Sequence, residues 1–167
     1  MNYYPQRDDR IAELDAGEVT ASELVQRHLN GSRLVKALHN MDYHRLFTRA
    51  RPSGAADRSA LPVSGDHEDA KTEVVWFMDV IGYDAVDIGT LAESWRSEPG
   101  TPVYVWPYLG EHPEGLGQEE AERWFRETPG RPVTADQVRE LAAQVVRGPA
   151  GGTFVPGYVP GVRTRTV

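Results

Sequence analysis

At 167 residues, with 40% hydrophobic and 26% charged content, the chain is long enough for one globular domain with a sizeable core. A net charge of -7 argues against nucleic acid or an anionic membrane as a general partner, and no apolar run is long enough to span a bilayer. The absence of cysteine excludes disulfides, thiolate metal sites and cysteine nucleophiles, and without an apolar leader a cytoplasmic protein is expected.

Residues 1–10 are polar and rich in tyrosine, so Asn2, Tyr3 and Tyr4 suit either a pocket wall or a surface loop with half-buried rings. Thr20-Ala-Ser-Glu23 has the pattern of a capping box and predicts a short helix that Gly31 ends. Leu34 to Leu38 reads as a strand, with His39-Asn40-Met41-Asp42 at its carboxyl end. A histidine there either exchanges protons near neutral pH or merely bonds a carbonyl as the strand stops. A helical turn is expected over residues 43–50, and a loop over 51–59.

Residues 60–95 carry the clearest pattern. Leu61 to Val63 make a short apolar run that stops at Ser64-Gly65-Asp66. Val74, Val75, Phe77, Met78 and Ile81 recur at three- and four-residue steps, which predicts a helix with one stripe facing a core. Gly82 is placed to end it in the left-handed conformation. Tyr83 to Ile88 follow as a second strand. Two strands joined through a helix imply a βαβ crossover and a parallel pair. Ligands of such sheets sit beyond the carboxyl ends of the strands, which selects residues 64–67 and 89–91.

Thr90-Leu-Ala-Glu93 is a second capping box, opening a helix that Pro99-Gly100 must end. Val103 to Trp106 reads as an edge strand or an extended packing segment. Gln118 to Glu127 suits a charged helix buried through Trp124 and Phe125. Thr134-Ala-Asp-Gln137 caps a last helix, whose stripe is Val138, Leu141, Ala142, Val145 and Val146. From residue 149 the Gly- and Pro-spaced tail is expected to be extended, mobile or an arm packed on another subunit.

The familiar catalytic signatures are missing. No Gly-x-Gly-x-x-Gly, phosphate loop, His-Glu-x-x-His or Gly-x-Ser-x-Gly occurs. The five histidines show no ligand spacing, and Asp66, His67, Glu68 and Asp69 are explained as a solvated helix start, so no metal is expected. The residues by themselves describe an α/β domain with a site at strand ends, and no reaction.

Three separated stretches carry a resemblance. Arg33-Leu-Val-Lys-Ala-Leu-His39-Asn40-Met41, Leu61-Pro-Val-Ser-Gly65-Asp66 and Asp84-Ala-Val-Asp87-Ile-Gly89-Thr90-Leu91-Ala-Glu93 are similar, in order and spacing, to NADP oxidoreductases dependent on the deazaflavin coenzyme F-420. Related dinucleotide-binding reductases look alike too. The resemblance covers residues 1–108 and implies an α/β fold, the remnant of a parallel Rossmann-like sheet of about three strands with crossover helices. Residues 109–148 would then be a C-terminal helical segment, and 149–167 an extended tail.

The function implied is hydride transfer between NADP(H) and a deazaflavin or related acceptor. That chemistry belongs to stacked rings, with no acid–base residue required of the protein. By resemblance, His39, Asn40 and Met41 border the ring cleft. Asn2 and Pro5 lie near the nicotinamide, and Gly89, Thr90 and Leu91 sit at the adjoining strand end. Met1 to Pro5 matches an internal loop of the family, and the glycine fingerprint that holds the pyrophosphate is not in this chain. A truncated reductase with impaired NADP binding is therefore expected, either a homo-oligomer or in need of an N-terminal half. Gly89-Thr90 stands where the family has Gly-Pro, and His67 where it has Asp. The alternative is a non-catalytic module derived from that fold, which oligomerises or binds a partner through an uncovered strand edge.

Overall fold

A computed structural model describes residues 2–5, 8–110 and 113–151. The expectation for the tail past residue 151 lies outside the described residues. The order of elements is α1 (Ala12–Asp15), α2 (Ala21–His28), β1 (Val35–Lys36), α3 (Tyr43–Thr48), β2 (Ala60–Gly65), α4 (Glu68–Val80) and β3 (Asp84–Asp87). A 3-10 helix (Leu91–Ser97), α5 (Trp106–Leu109), α6 (Gln118–Glu127) and α7 (Ala135–Ala143) follow. The fold is mixed α/β, with a three-stranded sheet in the order β1-β2-β3.

The β2–α4–β3 unit forms as its pattern predicts. β2 and β3 pair in parallel, Ala60 opposite Asp84 and Val63 opposite Asp87. The thirteen residues of α4 span about 20 Å at 1.5 Å each, the length of the six-residue strand it must travel back along. All of β2 is buried, because α4 covers one face and the 3-10 helix with α7 covers the other. Leu61, Val63, Met78, Val86, Val103, Val133 and Val138 make the main core, so residues after 109 pack into it as well.

β1 departs from expectation in direction. It joins β2 antiparallel, Val35 opposite Gly65 and Lys36 opposite Ser64. The reason is the link between them. α3 has six residues and spans only about 9 Å, too little to return the chain to the far end of the sheet. His39 to Met41 therefore run toward the start of β2, away from the carboxyl ends of the parallel pair.

The stripe on α4 is narrower than its periodicity suggests. Met78 is fully buried and Val74 and Ile81 are half-buried, whereas Val75 and Phe77 are exposed. At 100° per residue those two positions flank the buried line instead of lying on it. Val103 to Trp106 forms no strand: Val103 is buried in a loop, and Trp106 opens α5. In α7 the helix stops at Ala143, which leaves Val145 buried and Val146 exposed beyond it. The capping boxes of α2 and α7 both close as predicted.

Candidate functional site

The carboxyl ends of β2 and β3 are tied to each other. Gly65 N–H donates to the Gly89 carbonyl (3.0 Å), and Leu91 N–H donates to Asp66 Oδ1 (2.8 Å). Gly89 N–H donates to Asp87 Oδ1 (2.8 Å), and Thr90 N–H to Glu93 Oε2 (3.2 Å). Gly89 has a φ of +114°, a conformation that strains any side-chain-bearing residue, so glycine suits this turn. Behind it, Lys71 Nζ bridges Glu68 and Asp87 at 2.6 Å each. Hydrogen bonds to Asp87 and then Glu68 hold its pKa above the ordinary lysine value.

This end does not fit a pyrophosphate. A helix start binds phosphate through free amide groups and a positive dipole end. The first turn of α4 carries Glu68 and Asp69, and Asp66 precedes it, so negative charge already occupies the place.

The histidine cluster is built differently. His39 Nε2 lies 3.0 Å from the Ser97 carbonyl and 3.2 Å from Ser97 Oγ. Asn40 is wholly buried; its Nδ2 donates to the carbonyls of Ser97 (2.9 Å) and Val103 (3.4 Å), while its Oδ1 has no partner. Next to them the ammonium of Lys36 meets Glu98 at 3.2 Å, with both side chains buried. Burial first, then the Lys36 charge, depresses the His39 pKa well below the usual imidazole value, so the ring is neutral at pH 7. Burial also lowers the pKa of Lys36, against the opposing pull of Glu98.

Two strained residues bracket this cluster. Leu38, just before His39, has a φ of +60°. Val105 has a φ of +61°, and its N–H donates to the Asn40 carbonyl at 2.8 Å. A left-handed valine is an outlier for a β-branched residue, and such strain costs on the order of 1–3 kcal/mol. Backbone strain of this kind concentrates at sites that a fold holds for a purpose.

Beside the cluster lies a cavity of about 150 Å3, walled by Tyr3, Leu14, Val19, Trp95, Glu98 and Arg147 among others. Arg96 and Arg147 stand 4.6 and 5.7 Å from the Trp95 ring, within cation–π range. Tyr3 is fixed by its hydroxyl, which donates to Asp15 (2.7 Å). An apolar cavity of about this volume accommodates one benzene-sized ring. The cavity thus has about the volume of a single ring, and its walls mix Tyr3, Leu14, Val19 and Trp95 with the charged Glu98 and Arg147.

The structure brings together part of what the sequence nominates. Asn2 donates to Tyr104 Oη (3.0 Å), and Tyr4 Oη shares the same hydroxyl at 2.9 Å. Pro5 sits against Gly151 at the cavity rim. These residues and His39–Asn40 gather near the carboxyl end of the 3-10 helix. Met41 turns away into the main core. Gly89, Thr90 and Leu91 lie at the amino end of that helix, about 14 Å away for seven residues at 2 Å each. Leu91 is fully buried, with its carbonyl accepting from Thr20 Oγ1 at 2.8 Å.

Sequence reasoning missed Lys36, Trp95, Ser97, Glu98 and Tyr104. The only signal for them was the tyrosine-rich amino terminus, which had to pack on something. Among the described residues no three His, Asp or Glu side chains converge as a metal site, and no helix is long and apolar enough to cross a membrane.

No protein-family model matches the chain. The protein YjhV of Escherichia coli (strain K12) is 35% identical over 79 residues, which are 47% of this chain and 54% of YjhV. The chain therefore spans about half the length of that relative. Among solved structures, the hypothetical protein SMa0349 of Sinorhizobium meliloti is 28% identical, covering 62% of this chain and 48% of that one, with a TM-score of 0.49. A protein described as an F420-dependent NADP-reductase, from Arthrobacter sp. FB24, is 28% identical over 44% of this chain and 33% of its own, with a TM-score of 0.37. Both scores fall below 0.5.

Proposed function

We propose that the chain supplies the ring-binding side of a reductase that passes hydride between NADP(H) and a deazaflavin or related acceptor, and holds the cofactor weakly by itself. The observation that carries this reading is the cavity between Tyr3 and Trp95, with Glu98 of the Lys36–Glu98 pair in its wall. Hydride transfer between rings asks the protein for apolar walls and excluded water, and leaves the redox chemistry to the cofactor. The ionisable groups nearby suit that role. His39 is held neutral, and Lys36 and Glu98 neutralise each other. Weak cofactor affinity follows from the acidic start of α4, where Glu68 and Asp69 stand in the first turn and repel a pyrophosphate.

NADPH titrated against the protein, followed by its fluorescence, tests the reading. Saturable binding in the high micromolar to millimolar range, weakened in Trp95→Ala, is expected. No change up to millimolar NADPH or deazaflavin would remove cofactor chemistry from this chain. A second reading, a non-catalytic assembly module, is favoured by one feature: α4 exposes large apolar side chains to solvent.

A further inference from the structure

Among the described residues, two charged side chains stand in the wall of the cavity beside Tyr3 and Trp95, and they differ in depth. Glu98 is 8% exposed, whereas Arg147 is open to solvent. Glu98 Oε1 accepts from Lys36 Nζ at 3.2 Å. Its second oxygen, Oε2, meets no donor among the described residues, yet it is not sealed in the interior as Asn40 Oδ1 is. One carboxylate oxygen therefore stays available on the cavity side, while Lys36 lies outside the cavity wall. The main chain holds this carboxylate in place. Glu98 N–H donates to the Trp95 carbonyl (3.1 Å), and the Glu98 carbonyl accepts from Thr101 N–H (3.1 Å) and Thr101 Oγ1 (2.7 Å). An acceptor fixed in this way costs a ligand little ordering to reach.

We propose that Glu98 makes the cavity selective for uncharged rings that carry an N–H donor, aromatic amides and amines, over matched rings that lack the donor or carry a carboxylate. The proposal rests on the reading of this cavity as a ring site and names what that site prefers. Magnitudes decide between the two charges in the wall. Arg147 attracts an acid, but water screens an exposed guanidinium, and such a contact is worth roughly fivefold at most. A hydrogen bond from a ligand to the buried carboxylate is worth about 10-fold or more. A ligand carboxylate at the same place meets like charge where the dielectric is low.

Three probes of one shape test the proposal on the full chain. Benzamide, acetophenone and benzoate share a ring and a carbonyl, and differ in bearing an amide N–H, a methyl group or a charge. Affinities are read from the ligands' own NMR signals. Benzamide is expected to bind with a Kd of about 1 mM, as its small size dictates, and the other two about 10-fold more weakly. Glu98→Gln by itself leaves the Lys36 ammonium buried without its partner, so the pair is removed together in Lys36→Met/Glu98→Leu. With circular dichroism and the urea midpoint confirming the fold, that variant should bind benzamide and acetophenone equally. Equal affinities for these two in the wild type would overturn the proposal. So would benzoate that binds as tightly as benzamide, a preference that survives in the double variant, or no binding of any probe at ~20 mM, well above the range a ring of this size reaches. NADPH that fails to bind while benzamide keeps its preference would remove the reductase reading and leave this one standing. NADPH that binds while benzamide and acetophenone are equal would do the reverse.

Discussion

His39 is held neutral by its surroundings, and that has a consequence for stability. Burial, with the Lys36 ammonium second, keeps its pKa well below 6.5, while the Ser97 carbonyl accepts from the neutral ring. The unfolded chain therefore takes up this proton first as pH falls. The contribution is fully present above about pH 6.5 and is lost progressively below it, toward the folded pKa. Urea midpoints taken between about pH 7.5 and 5 should fall with acidity in the wild type. In His39→Gln, which can still donate to Ser97, the fall should be shallower; equal slopes would remove His39 as the cause. Asn40 beside it is a simpler case. Asn40→Ala takes two donors from buried carbonyls and should cost about 1–3 kcal/mol by chemical denaturation. The sequence showed His39 and Asn40 as a pair worth attention. It did not show their partners, because Ser97 and Val103 are some sixty residues away and contribute carbonyls, which no side-chain pattern reveals.

Elements were legible where local chemistry decides them. The capping boxes, the glycine at the end of α4 and the bounds of α6 all follow from side chains that act within a turn or two. Gly82 is the sharpest instance. Its φ is +100°, and a Cβ would come within 2.8–3.0 Å of the backbone of Ala50 and Arg51, which cannot swing aside. Gly82→Ala should therefore cost more than the roughly 1 kcal/mol of a left-handed alanine, with about 2 kcal/mol or more read from thermal unfolding. The direction of β1 was illegible for the opposite reason: it depends on how far a short helix carries the chain. The attachment of α6 was hidden as well. Arg45 is fully buried, pairs with Asp42 at 3.0 Å, donates to the carbonyls of Phe125 and Thr128, and stacks 4.7 Å from the Phe125 ring. An arginine on a short helix reads as surface, yet it clamps α3 to the end of α6. Arg45→Met removes the cation facing the Asp42 carboxylate and the donor of two carbonyls, so a loss of about 3–5 kcal/mol is expected. Limited proteolysis should then cut near residues 110–130 before the rest of the chain; an unchanged cleavage pattern would deny the clamp.

At the scale of the whole molecule, the cavity joins parts of the chain that lie far apart in sequence. Tyr3 and Leu14 come from its start, Trp95 and Glu98 from the 3-10 helix and its end, and Arg147 and Ala150 from beyond α7. A ring bound there stands against all three, so its occupancy bears on the stability of the whole fold. A ligand that binds only the folded chain stabilises it by RT ln(1 + [L]/Kd). Benzamide at about ten times its Kd therefore adds about 1.4 kcal/mol, which for a chain of this length raises Tm by about 4 °C. Acetophenone at the same concentration, bound about tenfold more weakly, adds about 0.4 kcal/mol and raises Tm by about 1 °C. Thermal scans should show that difference in the wild type and lose it in Lys36→Met/Glu98→Leu. The same scans with NADPH separate the two proposals. A cofactor that binds near its millimolar limit adds under about 1 kcal/mol. A benzamide shift without a NADPH effect would leave a ring site with no cofactor chemistry. A NADPH shift with no difference between benzamide and acetophenone would leave the reductase reading alone, and return Glu98 to the part of a structural partner for Lys36.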